Sequence, residues 1–563
     1  MSQHTDTHPN PGRTWPTWPA PGIPTSPEAW RAPVARPSLV RSAGIVAAAF
    51  VLSRILGLAR EIILARLFGT SVEYSAYVSA FRVPDLLFLI IMAGSFGSAF
   101  IPVFAGLVGA GKKDAAWRLA STVLNLSAVA MALFGALAFV FAEPIVRYVV
   151  APGAGEEATR LTVETMRILL LSPVFLGLGI AAKGILEAQD RFTLPALAPV
   201  VYNIGSILGA VLLAPTMGIR GAAVGVVAGA VAHLLIQVPG LVATGLRWRP
   251  TIELRTDGVG EVGRLLGPRV IGQAAFQVNF IVVTSLAWRS GQESVAAINY
   301  AWQMLMLPHG VLALSISTVV FPTMARLYEA GDMAAFKAAF GRALKPLVFL
   351  SLPAAIALFF FRVPVVQSIL QGGRFDAEST ALVAPALAWF AAGLLAYAAV
   401  EVLTRAFYAM HDTITPVAAG VAIIAINLLI GVLFVDQYGY VVLAFALSLS
   451  TTIEAVILLV VLRKRIGGFA RSEWRWLGQV VGCGLAMAAA CTVLGPPVAA
   501  ATAPGVAPRL VQLALLACSL GAVGLTYLVV AWLLRVPELQ TAIAQVARRV
   551  PGMGRVAALF GQR

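Results

Sequence analysis

The sequence predicts an all-α polytopic membrane protein of fourteen transmembrane helices, arranged as two pseudo-symmetric six-helix lobes plus two extra C-terminal helices. Three observations predict it. Of 563 residues, 59% are hydrophobic and only 12% charged, with a mean hydropathy of +0.85, against about 25% charged in an ordinary soluble domain. Apolar runs of about 20 to 30 residues recur through the chain with Gly and Pro inside them, a habit of membrane helices and not of period-2 barrel strands. The net charge of +15 alternates along the loops instead of gathering in a basic domain. That pattern argues against a nucleic-acid partner and for a topology signal.

Residues 1–38 precede the first apolar run and are rich in Pro, Thr and Ser, with three Trp. They read as a disordered cytoplasmic tail, without an apolar stretch long enough for a signal sequence. The first lobe takes residues 39–246, with spans at 39–68, 74–108, 115–142, 158–188, 193–215 and 220–246. The second takes 247–462, with spans at 262–288, 294–325, 338–362, 378–405, 415–435 and 440–462. Spans thirteen and fourteen, 475–495 and 509–534, lie in the stretch 463–536 outside the repeat and are nearly charge-free. Residues 537–563 set Ala542, Val546 and Val550 among Arg548, Arg549 and Arg555, as an interfacial amphipathic cytoplasmic tail does.

With the first tail inside, the inner tails and loops carry about 28 Lys/Arg and the outer loops about 8, a positive-inside bias that places both termini in the cytoplasm. Two internal echoes, spaced near 220 residues, support the two lobes. Lys183 to Pro195 matches Thr404 to Pro416, each ending one helix at a turn and restarting the next at proline. Phe100-Ile-Pro-Val-Phe-Ala-Gly with the Gly109 to Trp117 turn matches Phe321 to Leu327 with the Glu329 to Phe336 turn. An even number of spans per repeat gives the copies one orientation and leaves a cavity between them, as in secondary transporters. Cys483, Cys491 and Cys518 have no metal or redox spacing and read as packing residues. No nucleophile, metal-ligand cluster or phosphate loop is legible, so neither an enzyme nor a cofactor is expected.

The first span carries the strongest functional signal. At 100° per residue, Ser53, Arg54, Gly57, Arg60 and Glu61 fall within an arc of roughly 120°. Arg54 lies about 22 Å along the helix, near mid-bilayer, where an arginine costs at least about 2.5 to 3.5 kcal/mol. These charges therefore face a polar interior, either as a ligand site with Gly57 leaving room or as a structural pair of Glu61 with Arg54 or Arg60. Arg82 and Asp85 stand at i,i+3 around Pro84, a spacing that favours a local ion pair. Arg269 follows Pro268, where it can snorkel to the cytoplasmic surface or reach the cavity. Gln273 and Gln277 share a face and suit sugar hydroxyls or interhelical hydrogen bonds equally. Glu401 and Arg405 read as a structural pair, Glu454 and Lys345 as lone intramembrane charges. His309 beside Pro308 reads as a titrating group or as a hydrogen bond that satisfies the kink.

These residues together resemble the MurJ/MviN lipid II flippases of the multidrug/oligosaccharidyl-lipid/polysaccharide exporter superfamily. The resemblance runs from about Arg41 to Arg471. Its markers are Ser53-Arg54-Ile-Leu-Gly57-Leu-Ala-Arg60-Glu61 with Ala65-Arg66-Leu-Phe-Gly69, Ala80-Phe-Arg82-Val-Pro84-Asp85-Leu-Leu, Gly94 to Pro102, Gln371-Gly-Gly-Arg374-Phe375 and Phe407 to Pro416. It implies that basic residues of the first helix engage the diphosphate of an undecaprenyl-type lipid-linked glycan, and that the last two helices line a groove for the prenyl tail. Where that family carries further cavity charges, this chain has Phe88, Leu89, Ala93 and Gln303, and Ser75 holds an otherwise acidic position. The substrate-binding set expected here is Ser53, Arg54, Gly57, Arg60, Glu61, Arg82, Asp85, Arg269, Gln273, Gln277 and Gln303.

The expected function is an alternating-access flippase for such a lipid, lipid II by resemblance, in the bacterial inner membrane, with membrane lipids and cell-wall polymerases as partners. Two other readings compete. A non-transporting scaffold of cell-wall or polysaccharide assembly is favoured by the absent charges at Phe88 and Gln303 and opposed by the retained Arg54. An exporter of small amphiphiles suits a less cationic cavity.

Overall fold

The computed structural model describes residues 37–93, 100–253, 277–468, 471–502 and 508–549, with positions 255, 259, 274 and 506. The described residues are helical, and their one β feature is an isolated bridge between Gly372 and Phe375. In hydrocarbon each backbone N–H and C=O has to be satisfied within its own segment, and a helix does this for a lone segment. Among the described residues twelve helices are long and apolar enough to cross a membrane, the first at Val72–Ile91 and the last at Arg509–Leu533. Among the helices outside these twelve, two stand where the sequence predicts spans. They are α1, Pro37–Phe68, loaded by Arg54, Arg60, Glu61 and Arg66, and the stretch 277–289, here α13. The tail before residue 37 lies outside the described residues.

Between α1 and α13 the chain forms α2 (Val72–Ala80), α3 (Arg82–Phe88), α4 (Ile101–Gly109), α5 (Lys113–Val140), α6 (Ala142–Ile145), α7 (Glu156–Leu169), α8 (Ser172–Glu187), α9 (Thr193–Leu208), α10 (Ala214–Met217), α11 (Ile219–Leu235) and α12 (Val238–Ala243). After it come α14 (Ser294–Glu329), α15 (Met333–Phe360), α16 (Arg362–Ile369), α17 (Ala377–Ala409), α18 (Ile414–Tyr438), α19 (Val441–Ile466), α20 (Arg471–Ala501), α21 (Arg509–Leu533) and α22 (Pro537–Arg549). Three spans expected as single runs are interrupted. The break at Phe81 follows from Pro84, which has no N–H to offer one turn back. Pro173 and Pro239 stand just after the breaks that separate α7 from α8 and α11 from α12.

Matching turns recur about 220 residues apart, the spacing at which a duplicated unit repeats itself. Gly111 (φ 76) and Gly331 (φ 71) are left-handed, each followed by a closing bond, Lys112 N to Leu107 O at 2.9 Å and Asp332 N to Leu327 O at 3.0 Å. Asp190 and His411 share φ 58, with Arg191 N to Leu186 O at 2.9 Å and Asp412 N to Phe407 O at 3.0 Å. The same helix-ending motif leaves carbonyls satisfied in all four places.

Small residues set how closely the helices approach. Gly205 of α9 and Gly209, the residue that follows its last turn, lie against Gly225 and Gly229 of α11, and a Cβ on Gly209 would stand 2.1 Å from the Gly225 Cα. That contact holds α9 in place beside α1. The last two long helices pack on α15, where Tyr527 of α21 donates to the Phe349 carbonyl at 2.9 Å.

Hydrogen bonds between the helices up to α12 and those from α13 onward gather, among the described residues, toward the face where α1 ends. Arg374 N donates to the Arg66 carbonyl at 2.8 Å, and Thr70 Oγ1 meets Ser379 Oγ at 3.0 Å. Tyr300 OH donates to the Gly69 carbonyl at 3.2 Å and Trp288 Nε1 to Ser79 Oγ at 2.9 Å. Gly69 (φ 59) and Gly373 (φ 60) make the approach possible: a Cβ on either would sit 2.4 or 2.3 Å from the other segment's backbone oxygen. Asp376 caps α17 by accepting from the Ser379 N–H at 2.8 Å, and that bond holds its carboxyl below the ordinary carboxylate value. Arg509 ties α21 to the same loop through the Ser368 (3.2 Å), Ile369 (3.0 Å) and Gln371 carbonyls.

Candidate functional site

Two cavities lie between these sets of helices and meet at Arg60, Glu61 and Gln303, which border both. The larger, about 540 Å³, is bounded by α1, α8, α9 and α14 and takes in Ser53, Arg54, Gly57, Arg60 and Glu61 together. The whole polar face of α1 thus lines one space. The smaller, about 340 Å³, lies nearer the closed face and is lined by Arg82, Asp85, Gln277, Asn299 and a group of aromatic rings that includes Tyr77 and Trp302.

The two arginines of α1 that line the larger cavity differ in company. Arg60 pairs with Glu61 (Nη2 to Oε1 2.8 Å) and leans toward Asn203 Oδ1 at 3.5 Å, with side chains 22% and 9% exposed for Arg60 and Glu61. Glu61 also accepts from Tyr74 OH at 3.1 Å and from Gln303 Nε2 at 3.5 Å. Arg54 is exposed to the cavity, lies over the Phe50 ring at 5.3 Å and forms no ion pair among the described residues. Across the cavity it faces α14 at Gly310, where an added Cβ would come within 3.6 Å of its Nη1. Gly57 leaves open space, since a Cβ there would meet only Asn203 Oδ1, at 4.0 Å. Ser53 Oγ and carbonyl both accept from Asn203 Nδ2 at 3.3 Å.

Three expectations change. Arg82 and Asp85 do not pair: Arg82 Nε donates to Thr284 Oγ1 at 2.7 Å and its guanidinium lies 5.5 Å from the Phe280 ring centre, so the side chain is drawn across to α13. Lys345 is not alone, having Glu473 at 3.9 Å and the Trp476 ring at 5.6 Å. His309 Nδ1 is buried without a hydrogen bond among the described residues, which excludes that atom from satisfying the Pro308 kink. Glu401 and Arg405 do pair, at 3.8 Å. Gln277 is buried on the smaller cavity, whereas Arg269 and Gln273 lie outside the described residues.

The structure adds residues that pattern reading passed over. Asn203 bridges α9 to both Ser53 and Arg60. Lys183, at 3.8 Å from Glu187, brings a further cation to the larger cavity. Tyr74 and Asn299 link Glu61 to α14, with Asn299 Nδ2 donating to Tyr74 OH at 3.1 Å. An amide inside an apolar run was the available signal for Asn203.

Long apolar helices around a deep, charge-lined space closed toward one face define a multi-span membrane protein built like a transporter. Solved structures share the fold. One titled lipid II flippase MurJ, inward closed conformation, aligns with a TM-score of 0.71 at 23% identity, covering 85% of this chain and 97% of its own. A multidrug resistance MATE family transporter of the MOP superfamily, inward-facing, aligns at 0.64 and 19%, covering 74% and 94%. The model of the family described as lipid II flippase MurJ matches residues 64–513. A lipid II flippase MurJ of Burkholderia cenocepacia is 31% identical over 462 residues, 80% of this chain and 89% of that protein. The chain belongs to the lipid II flippase MurJ family.

Proposed function

We propose that this chain carries a lipid-linked, diphosphate-bearing glycan, lipid II in the name of its relatives, across the bacterial inner membrane by alternating access. In this reading α1 and α13 complete fourteen spans, both termini are cytoplasmic, and residues 39–246 and 247–462 act as pseudo-equivalent lobes. The state described is then closed to the outside, with the Gly69 and Gly373 contact as its seal. One observation carries the reading: the polar face of α1 lines a single cavity in which Arg54 has no carboxylate partner among the described residues. An unpaired guanidinium offers a planar fork of donors to phosphate oxygens, and Arg60 and Lys183 add positive charge around it. The prenyl tail follows the groove at α20 and α21, and cell-wall polymerases take the product outside.

The test is a reconstituted vesicle assay with fluorescent polyprenyl-diphosphate disaccharide-peptide. The expected result is protein-dependent movement that Arg54→Ala removes and Arg54→Lys restores poorly, because a point charge lacks the fork. Movement unchanged in Arg54→Ala sinks the assignment. The scaffold reading draws on Phe88, Leu89 and Gln303, uncharged where family members carry cavity charge. It gains if the wild type moves nothing in vesicles and fails to complement cells depleted of their own flippase.

A further inference from the structure

We propose that the smaller cavity recognises a zwitterionic group, an ammonium beside a carboxylate, at the far end of the carried headgroup, with Asp85 meeting the ammonium and Arg82 the carboxylate. The inference rests on the flippase reading above. Opposite charges at i,i+3 on a helix are neighbours and close on each other when nothing holds them apart. Here Arg82 is held apart, its Nε committed to Thr284 at 2.7 Å and its guanidinium over Phe280. Asp85 lines the cavity with no ion pair and no side-chain hydrogen bond among the described residues. A carboxylate at membrane depth without a partner is costly and marks a pathway or a ligand contact.

Ligand chemistry narrows quickly from there. A plain anion serves Arg82 but is repelled by Asp85, and a neutral sugar leaves both charges unanswered. A zwitterion of the α-amino-acid kind answers both at once. The surrounding walls suit it, with the aromatic rings of Trp302 and Tyr77 beside a cation and the Asn299 and Gln277 amides for its remaining polar atoms. Position fits as well: Arg60 and Glu61 border both cavities, so a headgroup whose diphosphate sits at Arg54 extends its distal end into this one.

The test uses the full chain in vesicles and two polyprenyl-diphosphate disaccharide-peptides. They are identical except that one peptide side chain ends in a free α-amino-acid group and in the other that amine is acetylated. Wild type is expected to move the free-amine probe about tenfold better in kcat/KM, the worth of one charge-assisted hydrogen bond. Asp85→Asn is expected to bring the ratio to about one, and Asp85→Glu to keep most of it. A wild-type ratio near one overturns the proposal, and needs no variant to fold. So does a preference that survives in Asp85→Asn. If wild type moves neither probe, the flippase reading itself fails and this inference falls with it, a result distinct from movement without preference.

Discussion

Arg54 and Arg60 lie less than two turns apart on one face of α1, yet the regions they occupy are built on opposite terms. Around Arg60 the protein supplies a carboxylate, Glu61 at 2.8 Å, with Asn203 on Arg60 and Tyr74 and Gln303 on Glu61, and leaves the Arg60 Nε without a hydrogen bond among the described residues. Around Arg54 it supplies a ring face and open space. Two cations at similar depth are thus one component of the wall and one open contact. Charge inside a membrane protein does not by itself say which; the difference lies in whether a carboxylate has been placed within reach.

Substitutions sharpen this contrast, and the largest effect is expected at the wall. Arg60→Ala leaves Glu61 buried without its cation and is expected to cost about 2 to 4 kcal/mol, read as a lower melting temperature in detergent. Adding Glu61→Gln to the same chain recovers much of that loss. Next comes Arg54→Ala, expected to leave melting unchanged while transport falls about tenfold or more, the loss of a charged hydrogen-bonding pair to the ligand. If Arg54→Ala melts as low as Arg60→Ala, the contrast is broken. Gly57→Leu fills the space between the two arginines and is expected to slow transport several-fold with melting retained, because its neighbourhood is open. The smallest effect belongs to an exposed pair, Arg374 with Glu73 at 2.8 Å. Its removal is expected to cost less than about 1 kcal/mol and to matter only at low salt, checked by melting across ionic strength.

Helices were legible because apolar length and backbone satisfaction leave a membrane chain few alternatives. The turns at Asp190 and His411 were legible as an echo, since similar residues in similar order close similar motifs. The polar arc of α1 was legible because periodicity alone places Ser53, Arg54, Gly57, Arg60 and Glu61 side by side. Which arginine takes Glu61 was not, for both lie within reach on a helical wheel and Asn203, 143 residues from Arg60, helps to decide it. The same limit misled the reading of Arg82 and Asp85. Local spacing favoured a pair, and a hydroxyl from a distant helix, Thr284, drew the arginine away. Periodicity reports faces; it does not report what stands opposite them.

The contact between Gly69 and Gly373 has a consequence for the setting in which the molecule works. Its closest elements are main chain on main chain, with Arg374 N on the Arg66 carbonyl and no side chain between. The main-chain part of this closure carries no group that titrates, and the part that salt screens is the exposed Arg374–Glu73 pair at its rim, 2.8 Å apart. With this face outside, as proposed above, the gate stands in a compartment whose acidity and ionic content follow the surroundings of the cell. The main-chain contact is therefore indifferent to that variation, and differential binding within the cavities is left to set when it opens.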